Sequence, residues 1–174
     1  CAGFGKRMLG LTLNIPKPLL QNNDKILLDN TINFFQDIGC NEIFINTHYL
    51  SNKIESHLTS NIYNIPINLI HEPSILGTGG AVKNIFNYTK NENICVCNCD
   101  VFWNKENKID ILNFLSRFDY ETDCKILLSR ENNFKGLKKT KGDFSIQNGI
   151  VSNWIFGNQI IFYSGLQIIS KKVF

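Results

Sequence analysis

The sequence predicts an α/β fold, with a mostly parallel sheet covered by helices on both faces. Two patterns carry that expectation. Short apolar runs alternate with helix-period segments over the first two thirds of the 174 residues, and strand-helix alternation builds parallel sheets from βαβ units. Two turn signals follow, Asn148-Gly149 and Gly157-Asn158, which mark hairpins and make the sheet a mixed one. A hydrophobic share of 43% is near the globular norm and supplies a core for one domain.

Each element has a local reason. Residues 1–10 are a glycine-rich loop, and 11–24 are extended and broken by Pro16 and Pro18. Ile26, Leu27, Asn30, Phe34 and Ile38 recur at helical spacing, and Gly39 ends that helix in the C′ position. Glu42–Thr47 reads as a short buried strand. Ser51 then caps a second helix that carries Ile54 and Leu58 on one face, with Glu55 near its start. Pro66–His71 is a strand, and Thr78 or Gly79 opens a helix running through Phe86. Asn93–Asn98 is a strand that ends at Asp100. Ile109–Phe118 is helical, Cys124–Ser129 is a strand, and 143–169 is strand-like. The aromatics Phe34, Phe35, Phe86 and Phe118 sit at core-like spacing and are assigned to packing.

Composition removes several classes of function. The net charge is +3 with scattered basic residues, which suits a small phosphate-bearing ligand better than nucleic acid. The longest apolar runs fall far short of the ~20 residues of a membrane span, and the N-terminus carries no signal-peptide pattern. Cys95, Cys97 and Cys99 alternate, so a strand would point all three to one face. They read as small buried thiols of a reducing compartment, which places the chain in the cytoplasm. His48, His57 and His71 have no metal-ligand spacing and read as structural. The chain opens at Cys1 inside a glycine loop and stops at Phe174 just after a helix start, so it reads as a fragment.

In parallel sheets ligands bind at the carboxyl ends of strands, which makes the loops 3–8, 72–80 and 98–103 the candidates for a site. In Gly3-Phe4-Gly5-Lys6-Arg7-Met8, the glycines let backbone N–H groups approach phosphate oxygens, and Arg7 offers a bidentate guanidinium. No Gly-Lys-Ser/Thr follows, which excludes a Walker loop, and Met8 occupies the third glycine of a dinucleotide fingerprint. Read alone, this loop is equally a plain turn. Pro16-Lys17-Pro18 holds Lys17 on a stiff, extended backbone as a point charge for phosphate. Read alone, it is more simply a solvated lysine in a proline loop.

Taken together, Gly-x-Gly-x-Arg followed by Pro-Lys-Pro-Leu-Leu resembles the signature of the sugar-1-phosphate nucleotidyltransferases. The resemblance covers nearly all of the chain. Cys1-Ala2-Gly3 matches the end of that family's first strand. Glu72-Pro73 with Leu76-Gly77-Thr78-Gly79-Gly80 is similar to its second nucleotide loop, which passes the base and ribose. Asn98-Cys99-Asp100 resembles its Asn-Gly-Asp strand end, with Cys99 in place of glycine. Gly142-Asp143-Phe144 and Phe162–Gln167 look like segments of the N-acetylmuramate-1-phosphate uridylyltransferase branch and its mannose-1-phosphate guanylyltransferase-like relatives.

The resemblance implies a Rossmann-like, three-layer fold of the GT-A kind, with 1–174 an incomplete catalytic domain that lacks its first strand and its C-terminal part. It implies nucleotidyl transfer from a nucleoside triphosphate, UTP by this branch, to a sugar 1-phosphate, N-acetylmuramate 1-phosphate by this branch, in cell-wall precursor synthesis or recycling. Arg7 and Lys17 would be catalytic. Gly3, Gly5, Lys6, Arg7, Lys17, Glu72, Thr78, Gly79 and Gly80 would bind nucleotide. Asn98 and Asp143 would face the sugar, and Asp100 would hold Mg²⁺. The family's second metal-binding Asp lies beyond the equivalent of Phe174, so the 174 residues alone are expected to be inactive and poorly stable. The competing readings are a mannose- or glucose-1-phosphate nucleotidyltransferase and a non-catalytic nucleotide-sugar-binding paralogue. The joint presence of Arg7, Lys17 and Asp100 favours an enzyme over the paralogue.

Overall fold

A computed structural model describes residues 1–119, 121–133 and 140–174. In chain order the elements are β1 (Gln21–Asn22), β2 (Lys25–Ile26), α1 (Leu27–Asp37), β3 (Ile43–Thr47), α2 (Ser51–Thr59), β4 (Ile67–His71), α3 (Gly77–Ile85), β5 (Asn93–Cys97), α4 (Lys108–Ser116), β6 (Cys124–Arg130), β7 (Phe144–Gln147), β8 (Ile150–Asn153) and β9 (Ile161–Ser170). They fall into two compact units. One holds Cys1–Glu92, Asn98–Arg117 and Phe174; the other holds Asn93–Cys97 and Phe118–Val173.

The first unit is built on β3 and β4, which pair in parallel from Ile43↔Ile67 to Thr47↔His71. A parallel pair needs a crossover connection, and α2 supplies it. Ile45 of β3 packs with Leu28 and Ile32 of α1 and Ile54 of α2, and Ile26, Leu58, Tyr63, Cys1 and Cys99 close around them. Burying each such aliphatic side chain contributes roughly 1.5–3 kcal/mol. Helix α1 stops where Gly39 adopts φ 94°. There Cys40 N–H donates to Phe35 O and Gly39 N–H to Gln36 O, the paired bonds of a Schellman end.

The second unit is a five-stranded sheet with order β5-β9-β7-β8, and β6 also pairs with β9. Strand β9 is buried along most of its length, with Phe162 and Leu166 fully enclosed. Asn148 and Gly149 both have positive φ, 51° and 78°, as a two-residue primed hairpin turn between β7 and β8 requires. Gly142 is required by close approach, since a Cβ there would lie 2.7 Å from Trp154 Cδ1 and 2.9 Å from Ile161 N.

The α/β, Rossmann-like class stands, with several local corrections. Among the described residues only β3–β4 is parallel, and the pairings that involve β9 are antiparallel. A buried apolar run such as β9 fixes that a strand exists, not its direction. Gly157-Asn158 does form a turn, with Asn158 N–H donating to Ile155 O, but β8 and β9 flank β7 rather than pairing with each other. Buried Ser145 holds that turn: its Oγ accepts from Ile155 N–H at 2.9 Å and from the Asn158 amide at 3.1 Å. Ser51 is the first helical residue and not the cap; Leu50, at φ 50°, holds the cap position with no side-chain bond. Lys17 opens a 3-10 turn, Lys17–Leu19, instead of an extended stretch, because Pro18 suits the start of a helical turn. Residues Lys6–Thr12 also coil into 3-10 turns, kinked at Leu9. Of the three thiols expected to be buried, Cys95 is exposed and Cys97 and Cys99 are half-buried. Phe34, Phe35 and Phe86 are core residues, and Phe118 is half-buried. No helix among the described residues is long and apolar enough to cross a membrane.

Candidate active site

The glycine loop turns at Gly5, whose φ of 66° lies in the left-handed region. Thr12 folds back on it, its hydroxyl within 3.1 Å of Gly5 O and 3.3 Å of Leu9 O. A Cβ on Gly5 would meet Thr12 Cγ2 at 2.9 Å, so this position admits only glycine without strain. Gly3, Lys6 and Arg7 are exposed, and the Lys6 ammonium sits 5.3 Å from the centre of the Phe4 ring. Cationic side chains therefore stand exposed on a loop whose turn is set at Gly5.

The next turn is pinned by Leu19 N–H donating to Pro16 O and Leu20 N–H to Lys17 O. It presents the Lys17 ammonium to the Asp100 carboxylate, where the two form an ion pair across 83 residues of sequence. Asp100 lies in the turn after β5. Asn30 of α1 clamps the segment that follows, with its amide donating to Trp103 O at 3.2 Å and its Oδ1 accepting from Trp103 N–H at 3.1 Å. Trp103 in turn stacks on Phe34. Cys99, standing where the resemblance has glycine, does not have positive φ; its side chain joins the core of the first unit. Burial pushes the Cys99 thiol up, and with cysteine at this position Asp100 still meets Lys17.

The second loop hangs from Glu72. Expected to touch a nucleotide, Glu72 is instead 1% exposed. Its Oε1 accepts from the Asn46 amide at 2.9 Å and its Oε2 from Leu76 N–H at 3.1 Å. A carboxylate so enclosed must have its oxygens satisfied by the protein, and here that anchors the loop. Gly77 follows with φ 70° and opens α3, so Thr78 and Gly79 are exposed in the first turn and Gly80 half-buried. The first N–H groups of a helix have no partner within it, and the macrodipole there favours anions. Asn98 is exposed just after β5.

Asp143, the last of the sequence-derived candidates, belongs to the second unit. Its Oδ2 accepts from Tyr163 N–H at 3.1 Å and its N–H donates to Ile161 O at 2.8 Å. It thereby ties the approach to β7 onto β9. The structure thus brings Lys17 and Asp100 into contact and sets both glycine loops in one unit. Of three residues that hold those loops, His48 reads from the sequence as structural, while Asn46 and Tyr49 are not singled out there. The run Asn46-Thr47-His48-Tyr49 at the end of a predicted strand was the available signal.

Comparison with known proteins shows the family and the fold. The family profile described as Nucleotidyl transferase matches residues 1–131. A D-glycero-alpha-D-manno-heptose 1-phosphate guanylyltransferase of Campylobacter jejuni is 27% identical, over 100% of this chain and 75% of its own. The enzyme of the same name from Aneurinibacillus thermoaerophilus is 31% identical, over 58% of this chain and 44% of its own. Among solved structures, HddC from Yersinia pseudotuberculosis complexed with GMP-PN superposes with a TM-score of 0.75 at 25% identity, covering 99% of this chain and 75% of that one. The inositol-1-phosphate CTP transferase from T. maritima, at TM-score 0.78 and 13% identity over 99% of this chain and 69% of its own, shares the fold. The profile match spans more than half of the chain and takes in the glycine turn, Lys17 and Asp100, so the chain belongs to the nucleotidyl transferase family.

Proposed function

We propose that the protein joins a nucleoside triphosphate to a sugar 1-phosphate and releases pyrophosphate. The observation that carries this reading is the meeting of Lys17 and Asp100, a phosphate-binding cation beside a carboxylate at the end of a strand. A phosphate oxygen of the sugar 1-phosphate attacks the α-phosphorus; the bond from that phosphorus to the bridging oxygen breaks, and pyrophosphate leaves. Positioning and charge neutralisation do most of the work in such a transfer. Backbone at Gly3–Lys6 cradles the triphosphate, Arg7 neutralises the departing pyrophosphate, and Lys17 draws the α-phosphate and the sugar phosphate together. Thr78, Gly79 and Gly80 pass the base and ribose while Glu72 holds their loop. Asn98 serves the sugar side.

The residues present suit Mg²⁺. Asp100 offers a hard oxygen donor, and Mg²⁺ is commonly held by one or two carboxylates with phosphate oxygens and water. Bound there, the metal would supply positive charge to phosphate oxygens. Among the described residues no three His, Cys, Asp or Glu gather as a candidate metal site, so Asp100 would share the ion with substrate oxygens.

For the finer identity we favour guanylyl transfer to a heptose or mannose 1-phosphate, because relatives of this chain are named for those reactions. The uridylyl and N-acetylmuramate expectation rests only on the segments at 142–144 and 162–167. Pyrophosphate release from the full-length protein is the test. GTP, UTP, CTP and dTTP are each paired with heptose, mannose, glucose and N-acetylmuramate 1-phosphates. GTP with a heptose or mannose 1-phosphate should be fastest. Preference for UTP and N-acetylmuramate 1-phosphate would restore the earlier expectation, and no release from any pair would reject the enzyme.

A further inference from the structure

The segment from Asn46 to Lys53 joins β3 to α2, and it touches both glycine loops of the first unit. Tyr49 grips the first loop at its entry and its exit. Its N–H donates to Ala2 O at 3.4 Å. Its hydroxyl lies 2.9 Å from both Thr12 O and Leu13 O, so one proton is shared between two carbonyls. Its ring lies against Phe4, with centroids 5.3 Å apart. One turn further, the Lys53 ammonium donates to Asn14 O at 2.6 Å. The bonds made within the loop itself are local, from Met8 N–H to Gly5 O and from Thr12 Oγ1 to Gly5 O or Leu9 O. They fix its shape, and Tyr49 and Lys53 fix its place.

The same segment holds the second loop. The Asn46 amide donates to Glu72 Oε1, and the Cys1 nitrogen donates to Asn46 Oδ1 at 2.7 Å. His48 Nδ1 lies 2.7 Å from Glu72 O. A carbonyl only accepts, so Nδ1 carries the proton and His48 is the donor. The His48 ring also meets Phe4 edge-on.

We propose that Asn46–Lys53 is a bridge that sets both nucleotide loops in one frame, with Tyr49 as its principal positioning residue. This rests on the proposed function, since it assigns the two loops to one triphosphate. The bridge acts on the nucleotide and not on the sugar phosphate, and that asymmetry distinguishes positioning from a general contribution to stability.

Two conservative variants of the full-length protein test it. Tyr49→Phe keeps the ring contact and the backbone bond and removes only the hydroxyl, with its bonds to Thr12 O and Leu13 O. Lys53→Met keeps the aliphatic stem and removes the ammonium; both side chains lie at or near the surface, so folding is preserved. GTP binding is measured by calorimetry, and KM for GTP and for the sugar 1-phosphate by steady-state kinetics, beside the unfolding temperature. We expect about threefold to tenfold weaker GTP binding in each variant, the size of one net hydrogen bond, with a matching rise in KM for GTP. The KM for the sugar 1-phosphate should stay at the wild-type value. Wild-type GTP affinity in Tyr49→Phe overturns the inference, as does an equal rise in both KM values or a lower unfolding temperature without weaker binding. If the wild type itself binds neither GTP nor any other triphosphate of the panel, the reading of the site fails and the bridge with it.

Discussion

Lys17 and Asp100 show how one pair of side chains can matter little to the fold and much to the chemistry. Their side chains are 27% and 35% exposed, and ion pairs at that exposure typically contribute about 0–1 kcal/mol to stability. Lys17→Ala should therefore melt close to wild type while turnover falls on the order of 10²–10³-fold, the usual cost of one electrostatic contact to the transition state. Arg7→Ala should behave alike, being exposed on its turn. Paired melting curves and pyrophosphate-release rates check this, and near-normal turnover in both variants rejects the assignment. Asp100→Asn weakens the one carboxylate assigned to Mg²⁺, so the magnesium concentration for half-maximal rate should rise; an unchanged titration counts against that role. Arg7 and Lys17 stand out in the sequence because each is a charged residue in a short glycine- or proline-bounded motif, and Asp100 because it is a carboxylate that follows a short apolar strand. The role of Glu72 does not. Whether a carboxylate faces a ligand or an internal amide depends on Asn46 and on Leu76 N–H, and Asn46 lies 26 residues away on another strand.

Among the elements, legibility followed how local the cause was. The end of α1 at Gly39 and the turn at Asn148-Gly149 were readable because backbone φ at one or two residues decides them. Strands β3, β4 and β5 were readable from short apolar runs between turn signals. Failures came where a distant partner decides. The partner of β8 is β7 and not β9, a choice the turn at 155–158 does not encode. At Leu50, the left-handed φ takes over the cap from Ser51. The glycine turn makes a prediction at this scale. Gly5→Ala would place a methyl 2.9 Å from Thr12 Cγ2 in a left-handed conformation, and such strain costs roughly 1–3 kcal/mol per residue. Gly5 is half-buried against the buried Thr12, so the cost should appear both as weaker GTP binding and as a lower unfolding temperature. Calorimetry of Gly5→Ala checks this; wild-type affinity would mean that the turn's shape is not what the triphosphate reads.

For the whole molecule, the decisive fact is that both glycine loops and the charged residues of the candidate site belong to one compact unit. The two glycine loops, Lys17, Glu72, Asn98 and Asp100 lie in the unit made of Cys1–Glu92 and Asn98–Arg117. That unit has its own apolar centre, in which Ile54 is fully enclosed. Removing that side chain should cost about 2–5 kcal/mol, the range for a buried isoleucine truncated to alanine. A ligand that binds only the folded form offsets such a loss by mass action, by about 2.7 kcal/mol at a hundred times its dissociation constant. Ile54 belongs to the core cluster and is not among the residues assigned to the ligand, so GTP at that excess should raise the unfolding temperature of Ile54→Ala as it does that of the wild type. Lys17→Ala should gain much less at the same GTP concentration, because it loses affinity rather than packing. Thermal melts of the three proteins with and without GTP separate the effects. If Ile54→Ala gains nothing from GTP, then its core and the site do not fold as one unit, and the placement of the loops on that core is wrong.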